Sequence, residues 1–265
     1  MENRETWWGD FQVERSGGLH WRIGDLSLVV HRAQREWRLV YGWQPATADA
    51  PSWEVSATSA PLDEESDEAE RHVFEEPGNG LSMRPALADR PVVSSPRMPL
   101  YLAPRQQVTL FVGSPLWARL ETIDPSHLIT ELPIRRPPDT WFGPSTIEGE
   151  VCYASKTRAV LDRANLPRLS RHAITPVKVR NDATEALAIE SLKLPVPLLS
   201  LYEDGEGQLW TEGVRMVRSD VSDHARMEIR RDEVPRGSST KLLTPKRETA
   251  EEGLLIRAFS GLFRL

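Results

Sequence analysis

Trp141, Glu148 and Glu150 are the side chains whose types and spacing best suit chemistry in this sequence. They follow a stiff Pro137-Pro138 turn, with Trp141-Phe142-Gly143 preceding Ile147-Glu148-Gly149-Glu150. A strand through 148–150 would place both carboxylates on one face, because strand side chains alternate with a period of two. Two carboxylates beside a tryptophan suit acid/base work on a sugar, or recognition of a small polar ligand. The same pattern also suits a plainer role, since exposed strand glutamates often pair with nearby cations, here Lys156 and Arg158.

Other reactive groups are sparse. Cys152, the single cysteine, sits two residues after Glu150 in a strand-like run, where neighbouring carboxylates raise a thiol pKa and disfavour the thiolate. That environment predicts a buried, inert thiol. The six histidines are scattered, with neither His-x-His nor His-Glu-x-x-His among them; His20 and His31 could face one another across a sheet. No glycine-rich phosphate loop occurs, and Gly205-Glu206-Gly207 lacks the third glycine of a dinucleotide fingerprint. The Gly-x-Ser-x-Gly elbow of esterases is missing as well. The expectation is therefore no metal, no cofactor and no assigned catalytic residue, with enzymatic activity left open but disfavoured.

The elements that must position these groups read as strands. Fifteen of the 21 prolines fall within residues 45–144, and proline in a helix interior costs about 3 kcal/mol, so long helices are excluded from that span. Before it, Phe11 and Val13, then Leu19, Trp21 and Ile23, then Leu26, Leu28 and Val30, then Trp37, Leu39, Tyr41 and Trp43 recur at period two around Ser16-Gly17-Gly18, Gly24-Asp25 and Gln34-Arg35-Glu36. This predicts an N-terminal four-stranded antiparallel meander. Short apolar runs between turn signals continue from Leu100 to Arg231, a spacing that points to an all-β chain of antiparallel, immunoglobulin-like sandwich type, either one elaborated sandwich or two. Thr249 and Glu252 have capping-box spacing, and Leu254, Leu255, Ala258, Phe259, Leu262 and Phe263 share one side of a helical wheel. A short C-terminal amphipathic helix is expected there, with a final strand as the competing assignment.

Charge is unevenly distributed. The chain has 265 residues and a net charge of −6, but residues 63–76 alone carry −7, leaving the remainder at +1. A nearly neutral folded part gives no strong nucleic-acid signal. A basic face would have to be assembled from Arg135, Arg136, Arg168, Arg171, Lys178, Arg180, Arg230 and Arg231. Residues 45–72 are rich in Pro, Ala, Ser, Asp and Glu, too polar to offset the cost of ordering, and read as a flexible acidic insertion. The organisation expected is an N-terminal β domain over 1–135 that contains this insertion, and a C-terminal β-sandwich domain over 136–265. Hydrophobic residues make up 39%, and no window approaches 18 consecutive apolar residues, so no transmembrane segment is expected and the chain reads as cytoplasmic.

One likeness rests on specific runs: Thr140-Trp-Phe-Gly-Pro144, Gly149-Glu-Val-Cys-Tyr153, Thr175-Pro-Val-Lys-Val-Arg-Asn181, Leu192-Lys-Leu-Pro195 and Leu209-Trp-Thr211. In these the chain resembles an uncharacterised prokaryotic family, mainly archaeal, classed as a domain of unknown function, number four-three-two. The resemblance covers most of the chain outside the acidic insertion. It implies a shared architecture and brings no activity, cofactor or catalytic residue. The function expected is that of a noncatalytic β-scaffold acting by protein–protein contact or regulation, with a protein partner or a second copy as its counterpart. The alternative is a small-molecule or sugar binding module, or a hydrolase, using Trp141, Glu148 and Glu150.

Overall fold

The computed structural model describes residues 5–46, 52–59, 69–143, 145, 147–157, 159–166, 171–220, 222–230 and 240–249. Its strands, numbered along the chain, fall into two compact units. The first comprises residues 1–86 and 117–136, and the second comprises 87–116 and 137–265. Thus 87–116 packs with the second unit although it lies between the two parts of the first.

In the first unit the period-two apolar residues become one buried sheet face. Strands β2 (Gly18–Ile23), β3 (Leu26–Arg32) and β4 (Glu36–Trp43) form an antiparallel meander, with Ile23 opposite Leu26 and Leu26 opposite Trp43. Gly24 adopts φ 58° in the tight β2–β3 connection, a left-handed conformation glycine takes without a Cβ penalty. Leu19, Trp21, Ile23, Leu26, Leu28, Val30, Trp37 and Leu39 are all buried.

The expected first strand of the meander goes elsewhere. β1 (Gly9–Gln12) pairs with β7 (Gly80–Ala86), in a second sheet of order β1-β7-β11-β12 with β11 (Trp117–Thr122) and β12 (Leu128–Pro133). The Ser16-Gly17-Gly18 turn carries the chain from one sheet to the other instead of closing a hairpin. Phe11 of β1 meets Trp21 of β2 edge-on, with ring centroids 5.1 Å apart, so the apolar faces of the two sheets share a core.

The span 45–72, expected as a flexible loop, contains ordered strands. β5 (Trp53–Thr58) pairs with β2 along its full length, and β6 (Glu70–Val73) pairs with β4, completing a sheet of order β5-β2-β3-β4-β6. Polar contacts hold these edges. Arg22 is ion-paired with Glu54, Tyr41 donates to Glu70 at 2.6 Å, and Arg71 reaches the buried Glu36 at 2.8 Å. Local composition suggests disorder, but pairing with a distant strand supplies the burial the segment cannot make alone.

The second unit is also built of strands. β10 (Gln107–Pro115), β15 (His172–Asn181), β20 (Gly213–Ser219) and β21 (Ser222–Arg230) lie side by side, and β19 (Leu209–Thr211), β18 (Leu201–Glu203) and β22 (Lys241–Thr244) continue the sheet. Pro176, which has no N–H, falls where one edge of β15 passes from β19, at Ile174, to β20, from Val177 onward. A second sheet has the order β13-β14-β8-β17, built from β13 (Asp139–Phe142), β14 (Glu150–Thr157), β8 (Val92–Pro96) and β17 (Leu192–Leu194). β9 (Leu100–Leu102) and β16 (Leu187–Ile189) form a separate pair.

The chain is therefore all-β, with several antiparallel sheets. Among the described residues three pairings are parallel, β8 with β14 and β15 with both β19 and β20, each joined by the long crossover that parallel strands require. The helices among the described residues are the one-turn pieces Arg163–Asn165 and Val196–Leu198. The expected amphipathic segment 254–263 lies outside the described residues.

Candidate functional site

The β13–β14 hairpin carries the residues singled out by sequence. Trp141 lies opposite Val151, and Phe142 lies opposite Glu150. Alternation sends these two pairs to opposite faces. The connection between the strands is tight: a Cβ at Gly143 would fall 2.1 Å from the Glu148 carbonyl oxygen, and one at Gly149 would fall 2.7 Å from the Trp141 indole. These two glycines let the indole lie against the connection, where its Nε1–H donates to the Ser145 carbonyl at 2.7 Å. The Ser145 hydroxyl oxygen accepts the backbone N–H of Glu148 at 3.0 Å.

The two glutamates do not form a pair on one strand face. Glu148 belongs to the connection and is exposed, whereas β14 begins only at Glu150. Gly149, needed for the close approach of Trp141, breaks the strand between them. Glu150 is ion-paired with Lys193 of β17, instead of with Lys156, and Arg158 lies outside the described residues. Lys193 is 5% exposed; it stands opposite Val93 of β8 in register, and its ammonium lies 5.4 Å from the centre of the Phe142 ring. The ammonium is thus held by a carboxylate on one side and by the electron-rich face of an aromatic ring on the other.

Beneath this pair, Phe142, Cys152 and Val93 pack as a buried cluster. Burial, reinforced by the charge of Glu150 and only partly countered by Lys193, pushes the Cys152 thiol up to about 11. The thiol is directed at the Glu150 carbonyl oxygen, 3.8 Å away. Its surroundings stabilise the neutral S–H, which is the reverse of what a nucleophilic cysteine needs.

The outward face is apolar and only partly covered. Trp141 is 45% exposed, Val151 46%, and Ile147, on the connection, 90%. Beside them the Tyr153 hydroxyl donates to Asp89 at 3.0 Å, and Arg90 stands 5.3 Å over the Tyr153 ring while reaching Asp139 at 3.3 Å. Burial and the Asp89 bond both raise the Tyr153 phenol above its ordinary range. Sequence reasoning missed Lys193, Ile147 and Val151. A lone cation within the apolar run 192–199 was the available signal for Lys193.

The histidines stay apart. His20 and His31 lie on one face of the β2–β3 pair, but His20 shares a hydrogen bond with the Ser27 hydroxyl at 2.8 Å and His31 donates to the Ser16 carbonyl at 3.0 Å. Among the described residues no three His, Cys, Asp or Glu side chains gather as metal ligands, and no helix is long and apolar enough to cross a membrane.

Fold and site together define an all-β chain with one hairpin that presents apolar side chains outward and a salt-linked lysine inward. The chain belongs to DUF432, a family of proteins of unknown function, whose sequence profile matches residues 7–264. No match was found among curated proteins or among solved structures.

Proposed function

We propose that the protein is a noncatalytic scaffold that makes a protein–protein contact through the β13–β14 hairpin, with a partner chain or a second copy as its counterpart. The observation that carries this reading is the exposed trio of Trp141, Val151 and Ile147 on a hairpin whose outer strand, β13, ends its sheet among the described residues. Half-exposed tryptophan beside aliphatic side chains is the composition of an interface centre, where burial on association supplies most of the free energy. The indole N–H is already taken by Ser145, so what Trp141 offers a partner is its apolar ring.

A sugar or metabolite site is less well served. Of the two carboxylates it would use, Glu150 is occupied by Lys193 and only Glu148 is left beside the indole. We assign the cytoplasm as its compartment, since the one cysteine is a buried free thiol and no disulfide is needed for the fold.

The test compares the wild-type chain with a Trp141→Ser, Ile147→Ser, Val151→Thr variant by sedimentation at native abundance in the source cells. The scaffold reading expects the wild type in a species larger than the 30.0 kDa chain, and the variant at monomer size. A wild type that sediments as a monomer, indistinguishable from the variant, overturns it.

A further inference from the structure

The four strands β10, β15, β20 and β21 have one buried face and one that is covered at Ile174, Pro176 and Gly213 but half-exposed to exposed from Lys178 and Arg215 toward Gln107 and Arg226. Leu110, Val177, Val179, Val214, Met216 and Met227 fill the buried face. On the other, register aligns Thr109, Lys178, Arg215 and Glu228 in one row, and Gln107, Arg180, Val217 and Arg226 in the next. Arg230 adds a fifth cation, opposite Gly213.

Lys178 and Arg215 are direct neighbours on adjacent strands, a like-charge juxtaposition that costs stability unless something anionic answers it. The one carboxylate in the row among the described residues, Glu228, stands across from Arg215 on its far side and not between the two cations. Neither cation is in an ion pair among the described residues, and Arg215 Nε is buried without a hydrogen-bond partner. The nearest carboxylate in the row, Glu228, is turned to Arg226 at 3.3 Å, and Asp182 is held by Arg180 at 2.6 Å. Of the cations considered from sequence, Lys178, Arg180 and Arg230 converge on this face and are joined by Arg215 and Arg226. Arg135 and Arg136 belong to the first unit, Arg171 immediately precedes β15, and Arg168 and Arg231 lie outside the described residues.

We infer that this face binds the phosphate backbone of single-stranded nucleic acid, with Lys178 and Arg215 clamping one phosphate and Arg180 and Arg226, each exchanging its carboxylate partner Asp182 or Glu228, meeting its neighbours. Rows about 7 Å apart along the strands, and cations about 5 Å apart across them, give the repeat that a chain of phosphates can follow. A membrane surface fits less well, because among the described residues none of the large apolar side chains that stand exposed lies on this face, and interfacial binding needs apolar insertion as well as charge. A duplex fits less well, because the face is a sheet without a helix or ribbon to enter a groove. Phe111, on the same face, is half-buried and edge-on to Trp210 with centroids 6.3 Å apart, which leaves binding to backbone charge and makes it insensitive to base sequence.

The experiment is fluorescence anisotropy of labelled (dT)20 with the full chain across a salt series. At about 0.7 per phosphate on single strands, contact with roughly two to four phosphates predicts a slope of log K against log salt between about −1.4 and −2.8. Lys178→Glu with Arg215→Glu should weaken binding at least tenfold at low salt, and Lys178→Gln with Arg215→Gln should weaken it by a smaller factor. Arg97→Glu with Lys156→Glu, an equal charge change at exposed positions away from this face, should stay within twofold of wild type. Circular dichroism reports whether each variant is folded, and the milder Gln pair decides if the Glu pair is not. Absence of binding at low salt, equal losses in the face and control variants, or binding to phosphatidylserine vesicles or pyrophosphate without (dT)20 would each overturn the inference.

Discussion

Lys193 of β17 reaches across the width of β8 to close an ion pair with Glu150 of β14, so the hairpin that presents Trp141 outward is anchored from within. The two partners are unequally placed: Lys193 has a side chain 6% exposed, and Glu150 one that is 44% exposed. Removing either charge therefore strands a different ion.

Glu150→Ala should be the more damaging change. It leaves an ammonium in the interior with only the Phe142 ring beside it, and an uncompensated buried charge costs on the order of 2–4 kcal/mol. Lys193→Met leaves a carboxylate that water already reaches, and its cost should be about 1 kcal/mol or less. Glu148→Gln should stay within about 0.5 kcal/mol, as a surface change in the connection. Urea titrations of the three variants give this order directly, and equal losses for Glu150→Ala and Lys193→Met would show that the pair is not the anchor.

The cysteine provides a second check. In the native state Cys152 should react with a thiol reagent only as fast as the chain opens, and stoichiometrically once unfolded. Because its folded pKa is raised from 9.0 to about 11, the group disfavours unfolding equally at every pH below 9 and loses that contribution as pH climbs toward 11. Cys152→Ser should flatten this alkaline decline. Rapid native labelling at neutral pH would contradict the buried, neutral thiol.

In the first unit the key contact is between Arg71 and Glu36. Burial would raise the Glu36 pKa, but bonds from Arg71 and then Arg38 more than offset it, so the carboxyl sits below its ordinary 4.5. Its stabilisation is present above that value and fades as pH falls through the lower folded pKa. Arg71→Ala should cost about 1–2 kcal/mol at pH 7, and the difference from wild type should vanish in acid. Deleting residues 46–70 removes β5 altogether and should lower the melting temperature by at least about 5 °C. An unchanged melting temperature would mean that β5 contributes nothing to the sheet.

These contacts mark where the sequence could be read and where it could not. The meander was legible at β2, β3 and β4 because one face of β2 and β3 is fully buried and that of β4 is buried at Trp37 and Leu39, so Leu19, Trp21, Ile23 and their partners repeat without interruption. β5 was not, because an edge strand alternates Trp53 and Val55 with Glu54 and Ser56, and its ordering comes from pairing with β2 rather than from its own composition. Nothing local distinguishes a β1 that continues the meander from one that crosses to β7. At the site, the environment of Cys152 was legible from its neighbour Glu150. The true partner of Glu150 was not, since it lies 43 residues away on a strand two places across the sheet. Glu148 failed as a strand residue because Gly149 serves the packing of Trp141 instead of the ladder.

The contact proposed for the hairpin is tested most directly by a photoreactive benzoylphenylalanine at position 147, illuminated in the source cells. The scaffold account predicts a discrete protein adduct that disappears when Trp141→Ser and Val151→Thr are added to the same chain. A yield no higher than that of the same probe at the exposed Glu14, or an adduct that survives both substitutions, would contradict it.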